Sequence, residues 1–182
     1  MPACASAVLR REPTKWWRWR DHFKNKYSCA TKMFPRLVEQ TFPVSVFEGR
    51  CHCAAIGFEL RTSHPPAQWT VRACQCSFCR SHGARTTSDP QGTVRFVIAD
   101  QSKLNRYRFG SRSADFFVCR DCGVYVASVV TSARGQFATL NINVLQPPVD
   151  VPVATAMWYE GEAPEQKLAR RERLWTPVVD IA

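Results

Sequence analysis

The stretch that decides the fold is residues 73–80, ACQCSFCR, in which Cys74, Cys76 and Cys79 follow C-x-C-x-x-C spacing. A lone cysteine usually behaves as a small buried apolar residue, but three thiols this close cannot all face away from one another. Their sulfurs should therefore converge, and a metal ion is the group that explains such convergence best. We interpret the rest of the chain as a scaffold that presents this cluster.

Two flanking pairs of cysteines complete the pattern. Upstream, Cys51 and Cys53 form a C-x-C unit, and downstream Cys119 and Cys122 form a C-x-x-C unit followed by Gly123. The downstream pair resembles a zinc knuckle, in which a tight turn aims two sulfurs at one ion and the glycine takes a positive φ. Four sulfurs from the outer pairs would close a tetrahedral shell, which is typical of structural sites. The central three would leave the fourth position of a second ion open, which is typical of catalytic sites.

A disulfide framework, as in secreted proteins, is the main alternative explanation of nine cysteines. The number of cysteines is odd, they lie in chelating clusters, and no apolar run of the signal-peptide type is present. We therefore favour metal binding in a reducing compartment and expect a cytoplasmic protein. No segment approaches about 18 consecutive apolar residues, so the sequence predicts no membrane-spanning helix.

Residues 1–44 differ in composition from the rest of the chain. The net charge of the 182 residues is +10, and this segment holds nine Lys/Arg against three Asp/Glu. Residues 15–24, KWWRWRDHFK, could form a short basic helix that contacts RNA, DNA or a membrane surface. We favour the alternative, a flexible extension or sequence upstream of a start at Met33, so nucleic-acid binding is not the expected function. Cys4 and Cys29 receive no role.

From residue 45 to residue 160, short apolar or alternating runs separated by turn residues predict one β domain that binds zinc. Eight runs are predicted strands: Val44–Phe47, Ala55–Arg61, Trp69–Ala73, Thr93–Ile98, Leu104–Phe109, Asp115–Cys119, Val124–Val130 and Phe137–Leu145. Only residues 79–84 and 165–173 look helical, so the predicted fold class is mainly β and mainly antiparallel. Residues 161–182 are predicted to form a charged C-terminal tail.

The clearest alternation is in residues 137–145. Every second residue from Ala138 onward is apolar, whereas Thr139, Asn141 and Asn143 occupy the other face of the predicted strand. We expect the two asparagines to lie on the protein surface.

The clusters GRCHC, CQCSFCR and CRDCG, in this order, resemble the glutathione-dependent formaldehyde-activating enzymes. This family comprises the S-(hydroxymethyl)glutathione synthases and also includes centromere-protein-V-like proteins. The resemblance covers residues 46 to 145 and implies an Mss4-like antiparallel β fold with little helix and two zinc ions per chain. The structural zinc would be held by Cys51, Cys53, Cys119 and Cys122, and the catalytic zinc by Cys74, Cys76 and Cys79. The chain departs from many members at Ala54, where they carry glycine, and at Val124, where a small polar residue is common.

The resemblance implies a lyase or synthase that forms a carbon–sulfur bond. A thiol, most plausibly glutathione, would add to formaldehyde or to another small aldehyde. Arg80 directly follows the last cysteine of the central cluster and could offset its negative charge or hold a substrate carboxylate. The predicted catalytic residues are Cys74, Cys76, Cys79 and Arg80. His82 is a weaker candidate as a proton donor or fourth ligand, and His52 should point away from the zinc.

Two other functions stay open on the sequence. A non-catalytic zinc-binding module could use the same scaffold, with the basic N-terminal segment as an arm that contacts protein or nucleic acid. A labile second zinc would expose Cys74 and Cys76 as a thiol pair that senses oxidants. The open three-cysteine site favours the enzyme.

Overall fold

The computed structural model describes residues 43–182, so almost all of the predicted N-terminal extension, with Cys4 and Cys29, lies outside the described part of the chain. The described residues confirm the mainly β fold. The strands are β1 Ser45–Arg50, β2 Ile56–Thr62, β3 Arg72–Cys74, β4 Thr86–Thr87, β5 Thr93–Ile98, β6 Leu104–Tyr107, β7 Asp115–Cys119, β8 Tyr125–Ser132, β9 Gly135–Asn141, β10 Thr155–Met157 and β11 Thr176–Ile181. The helices are α1 Ser77–Ser81 and α2 Pro164–Leu174. Neither described helix combines the length and the apolar character that crossing a membrane requires.

Two groups of strands meet at β11. On one side, β1, β2 and β5 are antiparallel, and β5 pairs in parallel with the end of β11. On the other side, β6 to β9 form an antiparallel meander, and the free edge of β9 pairs with the start of β11 and with β4. β4 continues to β3, which pairs in parallel with β10. The sheet is mixed, because two of its pairings are parallel, but all the other pairings among the described strands are antiparallel, as the sequence predicts.

The core lies where these two groups of strands face each other. Leu60 of β2 and Val94 of β5 are at most 1% exposed. The ring of Phe96 from β5 contacts that of Phe117 from β7, with 4.9 Å between the ring centroids. Burial of one such side chain contributes about 1.5–3 kcal/mol, so these contacts hold the two groups together. The packing sets the positions of the strand ends that carry cysteines.

The predicted C-terminal tail, residues 161–182, is an integral part of the fold. α2 agrees with the predicted helix to within one residue at each end, but the chain then enters β11, and Trp175 and Thr176 are 7% and 0% exposed. The backbone N–H of Asp89 donates to Thr176 Oγ1 at 2.8 Å. Sequence reasoning misses β11 because Pro177 removes a backbone donor and argues against a central strand. Residues 161–182 therefore belong to the same β domain as the residues before the predicted boundary at residue 160.

The predicted strand 137–145 ends earlier than expected, since residues 142–144 form a 3₁₀ turn. Its polar face is also less exposed than predicted. Asn143 is exposed, but Asn141 is only 4% exposed, and its Nδ2 donates to the carbonyl of Tyr125 at 2.8 Å. The expectation of a surface position for Asn141 is wrong, because a polar side chain can be buried when a backbone partner satisfies it.

Candidate metal centres and active site

The outer cysteine pairs meet in one place, which we call the four-cysteine cluster (Cys51, Cys53, Cys119, Cys122). Two turns bring them together, one after β1 and one after β7. All four sulfurs lie within 4.8 Å of one another. Sγ of Cys53 lies 3.7 Å from that of Cys51 and 3.5 Å from that of Cys119. A tetrahedral ion with bonds of about 2.3 Å requires sulfurs ~3.8 Å apart, so the cluster fits zinc.

The thiols of this cluster ionise unequally. Burial raises the pKa of Cys51 to about 12. Burial also acts to raise the pKa of Cys122, but hydrogen bonds from the backbone of Cys53 and Val124 outweigh it and lower that pKa to about 6. Four thiolates so close together need a cation to neutralise them, and metal binding must therefore release protons.

Both turns of the four-cysteine cluster place a residue in the left-handed region directly after the second cysteine. Gly123 has φ +72°, and its N–H donates to the carbonyl of Cys119 at 3.0 Å. Ala54 has φ +61°, and its N–H donates to the carbonyl of Cys51 at 2.9 Å. A side-chain β-carbon makes this conformation about 1–2 kcal/mol less favourable. The departure at Ala54 noted in the sequence therefore strains the backbone of the cluster.

We expect Gly123→Ala to lower the free energy of unfolding by about 1–2 kcal/mol, since a β-carbon there has no neighbour within 4 Å and only the backbone is strained. Ala54→Gly relieves strain but adds freedom to the unfolded chain, so it should raise stability by at most about 1 kcal/mol. Urea unfolding of the metal-loaded protein measures both changes. Ala55→Gly is the matched control, because the φ of Ala55 is not in the left-handed region. This substitution relieves no strain and should lower the free energy of unfolding by about 0.5–1 kcal/mol. The prediction would be contradicted if Ala54→Gly and Ala55→Gly changed the free energy of unfolding in the same direction.

The central cysteines also converge, in what we call the three-cysteine cluster (Cys74, Cys76, Cys79). Cys74 ends β3, Cys76 directly precedes α1, and Cys79 lies in the first turn of α1. Cys76 is the N-cap of this helix, and its Sγ accepts the backbone N–H of Cys79 at 3.5 Å. The three sulfurs lie within 4.8 Å of one another, so they fit three ligands of a tetrahedral ion. No fourth Cys, His, Asp or Glu joins them within residues 43–182.

Ionisation within the three-cysteine cluster is shared. A hydrogen bond with the Cys79 thiol lowers the pKa of Cys74 to about 6, and the same bond, together with burial, raises the pKa of Cys79. Burial also raises the pKa of Cys76. One thiolate is therefore stable near neutral pH without a cation, whereas three require one. This donor set suits a soft divalent metal.

The three-cysteine cluster lines a cleft of about 360 Å³. Aromatic side chains, among them Phe116, Trp158 and Tyr159, form part of its wall. Several hydroxyl groups also line it, and among them the Oη of Tyr125 lies 2.8 Å from Ser128 Oγ. Burial raises the pKa of the Tyr125 phenol, so this side chain stays protonated and can donate a hydrogen bond. The open side of the cysteine cluster therefore adjoins a space of the size that binds small molecules.

Four basic side chains line the same cleft: Arg72 from β3 and Lys167, Arg170 and Arg171 from α2. Arg170 forms a bidentate pair with Glu162, at 2.8 and 2.9 Å, and its guanidinium lies 3.9 Å from the centre of the Tyr159 ring. Burial lowers the pKa of Arg171 to about 10, which still leaves it charged at neutral pH. The cleft is therefore suited to an anionic ligand.

The structure does not bring Arg80 to the cleft. Arg80 is exposed on α1 and is absent from the residues that line the cleft, so its predicted catalytic role has no support. His82 is also exposed, and its Nδ1 lies 2.9 Å from the carbonyl of Phe78. His52 is exposed and does not belong to the four-cysteine cluster. The charged groups of the cleft come instead from β3 and α2.

Sequence reasoning missed the α2 side chains of the cleft, although a signal was present. Lys167, Arg170 and Arg171 are spaced i, i+3, i+4, which places them on one face of a helix. Nothing in the spacing indicates what that face contacts. The pairing of β11 with β5 and β9 determines where α2 lies and therefore what its basic face contacts. Sequence periodicity carries no information on such long-range pairing.

Comparison with known proteins agrees with this geometry. Residues 46–161 match the model of the glutathione-dependent formaldehyde-activating enzyme family. A solved structure of a Rhodobacter sphaeroides protein is 29% identical in sequence, with a TM-score of 0.43, and the match covers 61% of this chain and 98% of that one. The family model spans both cysteine clusters, and the mainly β architecture is that of the Mss4-like fold expected for the family. The chain belongs to the glutathione-dependent formaldehyde-activating enzyme family.

Proposed function

We propose that this protein is a zinc-dependent carbon–sulfur lyase of the S-(hydroxymethyl)glutathione synthase type, which adds glutathione to formaldehyde or to another small aldehyde. One observation carries the proposal: three cysteines, not four, converge at a cleft that is also lined by hydroxyls and cations. A cluster that served structure alone would close its shell with a fourth side chain.

The two clusters have different roles in this proposal. The four-cysteine cluster holds a structural zinc and joins segments that are 66 positions apart in the chain. The three-cysteine cluster holds a second zinc, which when bound supplies a positive site that keeps the substrate sulfur as its nucleophilic thiolate. The other steps depend on the side chains of the cleft.

In this proposal, Ser128 and Tyr125 stabilise the aldehyde oxygen, which becomes negative and is then protonated. The glutathione thiol loses its proton when it binds as the thiolate. When the thiolate attacks the aldehyde, the new carbon–sulfur bond forms, the carbonyl π electrons move to the oxygen, and the oxygen takes up a proton in place of the one that the thiol released. The hydroxyl of Ser128, paired with the protonated phenol of Tyr125 at 2.8 Å, offers a hydrogen bond to this developing negative charge.

We also infer a reducing compartment such as the cytoplasm. All seven cysteines of residues 43–182 are free thiols, and their proposed function requires thiolates rather than disulfides.

The test combines metal analysis with a rate measurement. We expect about two zinc ions per chain under reducing conditions, and glutathione should displace or shift only the more weakly bound one. Exchange NMR with labelled formaldehyde should show adduct formation faster than the spontaneous reaction. A variant lacking residues 1–40 is the control and should keep both ions. One tight ion that ignores glutathione, with no rate increase, would refute the enzyme and favour a binding module with a basic arm.

A further inference from the structure

The basic side chains of the cleft differ in how they are neutralised. Arg170 has a carboxylate partner in Glu162, as described above. Arg72, Lys167 and Arg171 have none within 4.0 Å among residues 43–182. Among the described residues that line the cleft, Glu160 is the one acidic residue, and it is exposed to solvent. The cleft therefore has more positive charge than its own carboxylates balance.

Arg171 is the most unusual of these residues. Its Nη1 donates to the hydroxyl of Ser113 at 2.8 Å and to the Ser113 carbonyl at 3.3 Å. The guanidinium carbon lies 5.1 Å from the centre of the Trp175 ring. Its Nε is buried, and within the described chain no hydrogen-bond acceptor reaches it. A buried donor on a charged group without a partner is costly, and an anionic ligand in the cleft would remove that cost.

Arg72 approaches the cleft from the side of the three-cysteine cluster. It lies in β3, two residues before Cys74, and it is half-buried. Its Nη2 donates to the hydroxyl of Ser88, which in turn donates to the carbonyl of Leu174 at the end of α2. This chain of hydrogen bonds ties Arg72 to the helix that carries Arg171. Both arginines line the same cleft, and the end of the helix that carries Arg171 is held to Arg72 by these hydrogen bonds.

We propose that Arg72, Arg171 and Lys167 form a carboxylate-binding subsite, through which α2 selects thiols that carry a carboxylate away from the sulfur. The inference rests on the proposed function, because it assigns the part of the cleft that recognises the thiol. α2 lies outside residues 46–161, so Lys167 and Arg171 come from a part of the chain that the family match does not include, whereas Arg72 lies within it.

Glutathione has the chemistry that this arrangement recognises. Its thiol lies in the middle of a tripeptide with a carboxylate at each end, so the sulfur can reach the three-cysteine cluster while a carboxylate reaches the arginines. A guanidinium binds a carboxylate through two parallel N–H donors, which sets orientation as well as affinity. A neutral thiol such as 2-mercaptoethanol offers nothing to this subsite.

Calorimetric titration with S-methylglutathione tests the subsite without catalysis, because the ligand keeps both carboxylates and has no free thiol. We expect Arg171→Gln to weaken binding by about 10- to 100-fold. Added salt should weaken binding to the wild-type protein more than binding to the variant.

Lys167→Gln is the second variant. Lys167 donates no side-chain hydrogen bond within residues 43–182, so its loss should leave the fold intact. For this variant we expect a smaller loss of affinity. Arg173→Gln is the matched control, because Arg173 is exposed on the same helix and does not line the cleft.

Equal affinity of the wild-type protein and both cleft variants, or no binding to the wild-type protein, would overturn the subsite. Steady-state kinetics separate this outcome from failure of the proposed function. The KM for glutathione should rise in Arg171→Gln by a larger factor than the KM for 2-mercaptoethanol, which has no carboxylate for the subsite to bind. Salt-sensitive binding of S-methylglutathione without aldehyde turnover would refute the enzyme and support the subsite. Turnover with a KM that both cleft variants leave unchanged would refute the subsite and support the enzyme.

Discussion

Replacing Cys119 with serine is expected to remove one metal ion and to unfold most of the protein. Cys119 ends β7, is 1% exposed and lies 3.5 Å from Cys53 across a long chain separation. A structural zinc site contributes about 10–16 kcal/mol of binding free energy to folding, whereas small domains are stable by only about 5–15 kcal/mol. A serine hydroxyl is a poor ligand and leaves a polar group in the core. We therefore expect a loss of at least about 4 kcal/mol.

Circular dichroism, urea unfolding and zinc content of purified Cys119→Ser measure this effect. Cys29→Ser is the control for the loss of one thiol, and it should match the wild-type protein in all three measurements. A well-folded Cys119→Ser protein that still binds two ions would show that the four-cysteine cluster is not the structural site.

Cys76→Ser should leave the fold intact and abolish most of the activity. Cys76 caps the N-terminus of α1 through its sulfur, and serine is among the best N-cap residues, so the variant keeps the cap while it weakens the metal ligand. Mutation of a residue that only hydrogen-bonds a metal ligand typically lowers metal affinity or activity by about 10- to 100-fold. The loss of a ligand itself should therefore lower kcat/KM by about 100-fold or more.

Zinc content, unfolding and the rate of adduct formation should be measured together for Cys76→Ser. We expect one ion per chain, a free energy of unfolding within about 1 kcal/mol of the wild-type value, and loss of the rate increase. Ser81→Ala is the control, because Ser81 lies in the same short helix, is exposed and does not line the cleft. If Cys76→Ser and Cys119→Ser behave alike, the division into a structural and a catalytic ion is wrong.

Most of the strands could be predicted from the sequence. All eight predicted runs contain or overlap a strand, because alternation and turn residues are local signals. The three missed strands had weak local signals. β4 and β10 are only two and three residues long, too short to show alternation, and β11 contains Pro177. The parallel pairings of β10 and β11 could not be predicted, since they join segments that are distant in the chain.

The cysteine clusters were predictable for the same local reason. Ligands spaced by one or two residues share a single turn, so their convergence follows from the backbone of that turn. The predicted role of Arg80 rested on adjacency in sequence, which does not set the direction of a side chain. A residue that follows a ligand on a helix is rotated by about 100° away from it, and here that rotation leads to solvent.

By itself, the sequence determined the mainly β class, the two groups of cysteines and the family, because each depends on spacing within a few residues or on the order of short motifs. Only the tertiary structure decided what surrounds the open cluster. Arg72 and Arg171 are about a hundred positions apart, and no local pattern relates them. They line one cleft because β11 inserts between β5 and β9 and carries α2 with it. Non-local strand pairing of this kind depends on the packing of the whole core, which is why it cannot be derived from any single stretch of the chain.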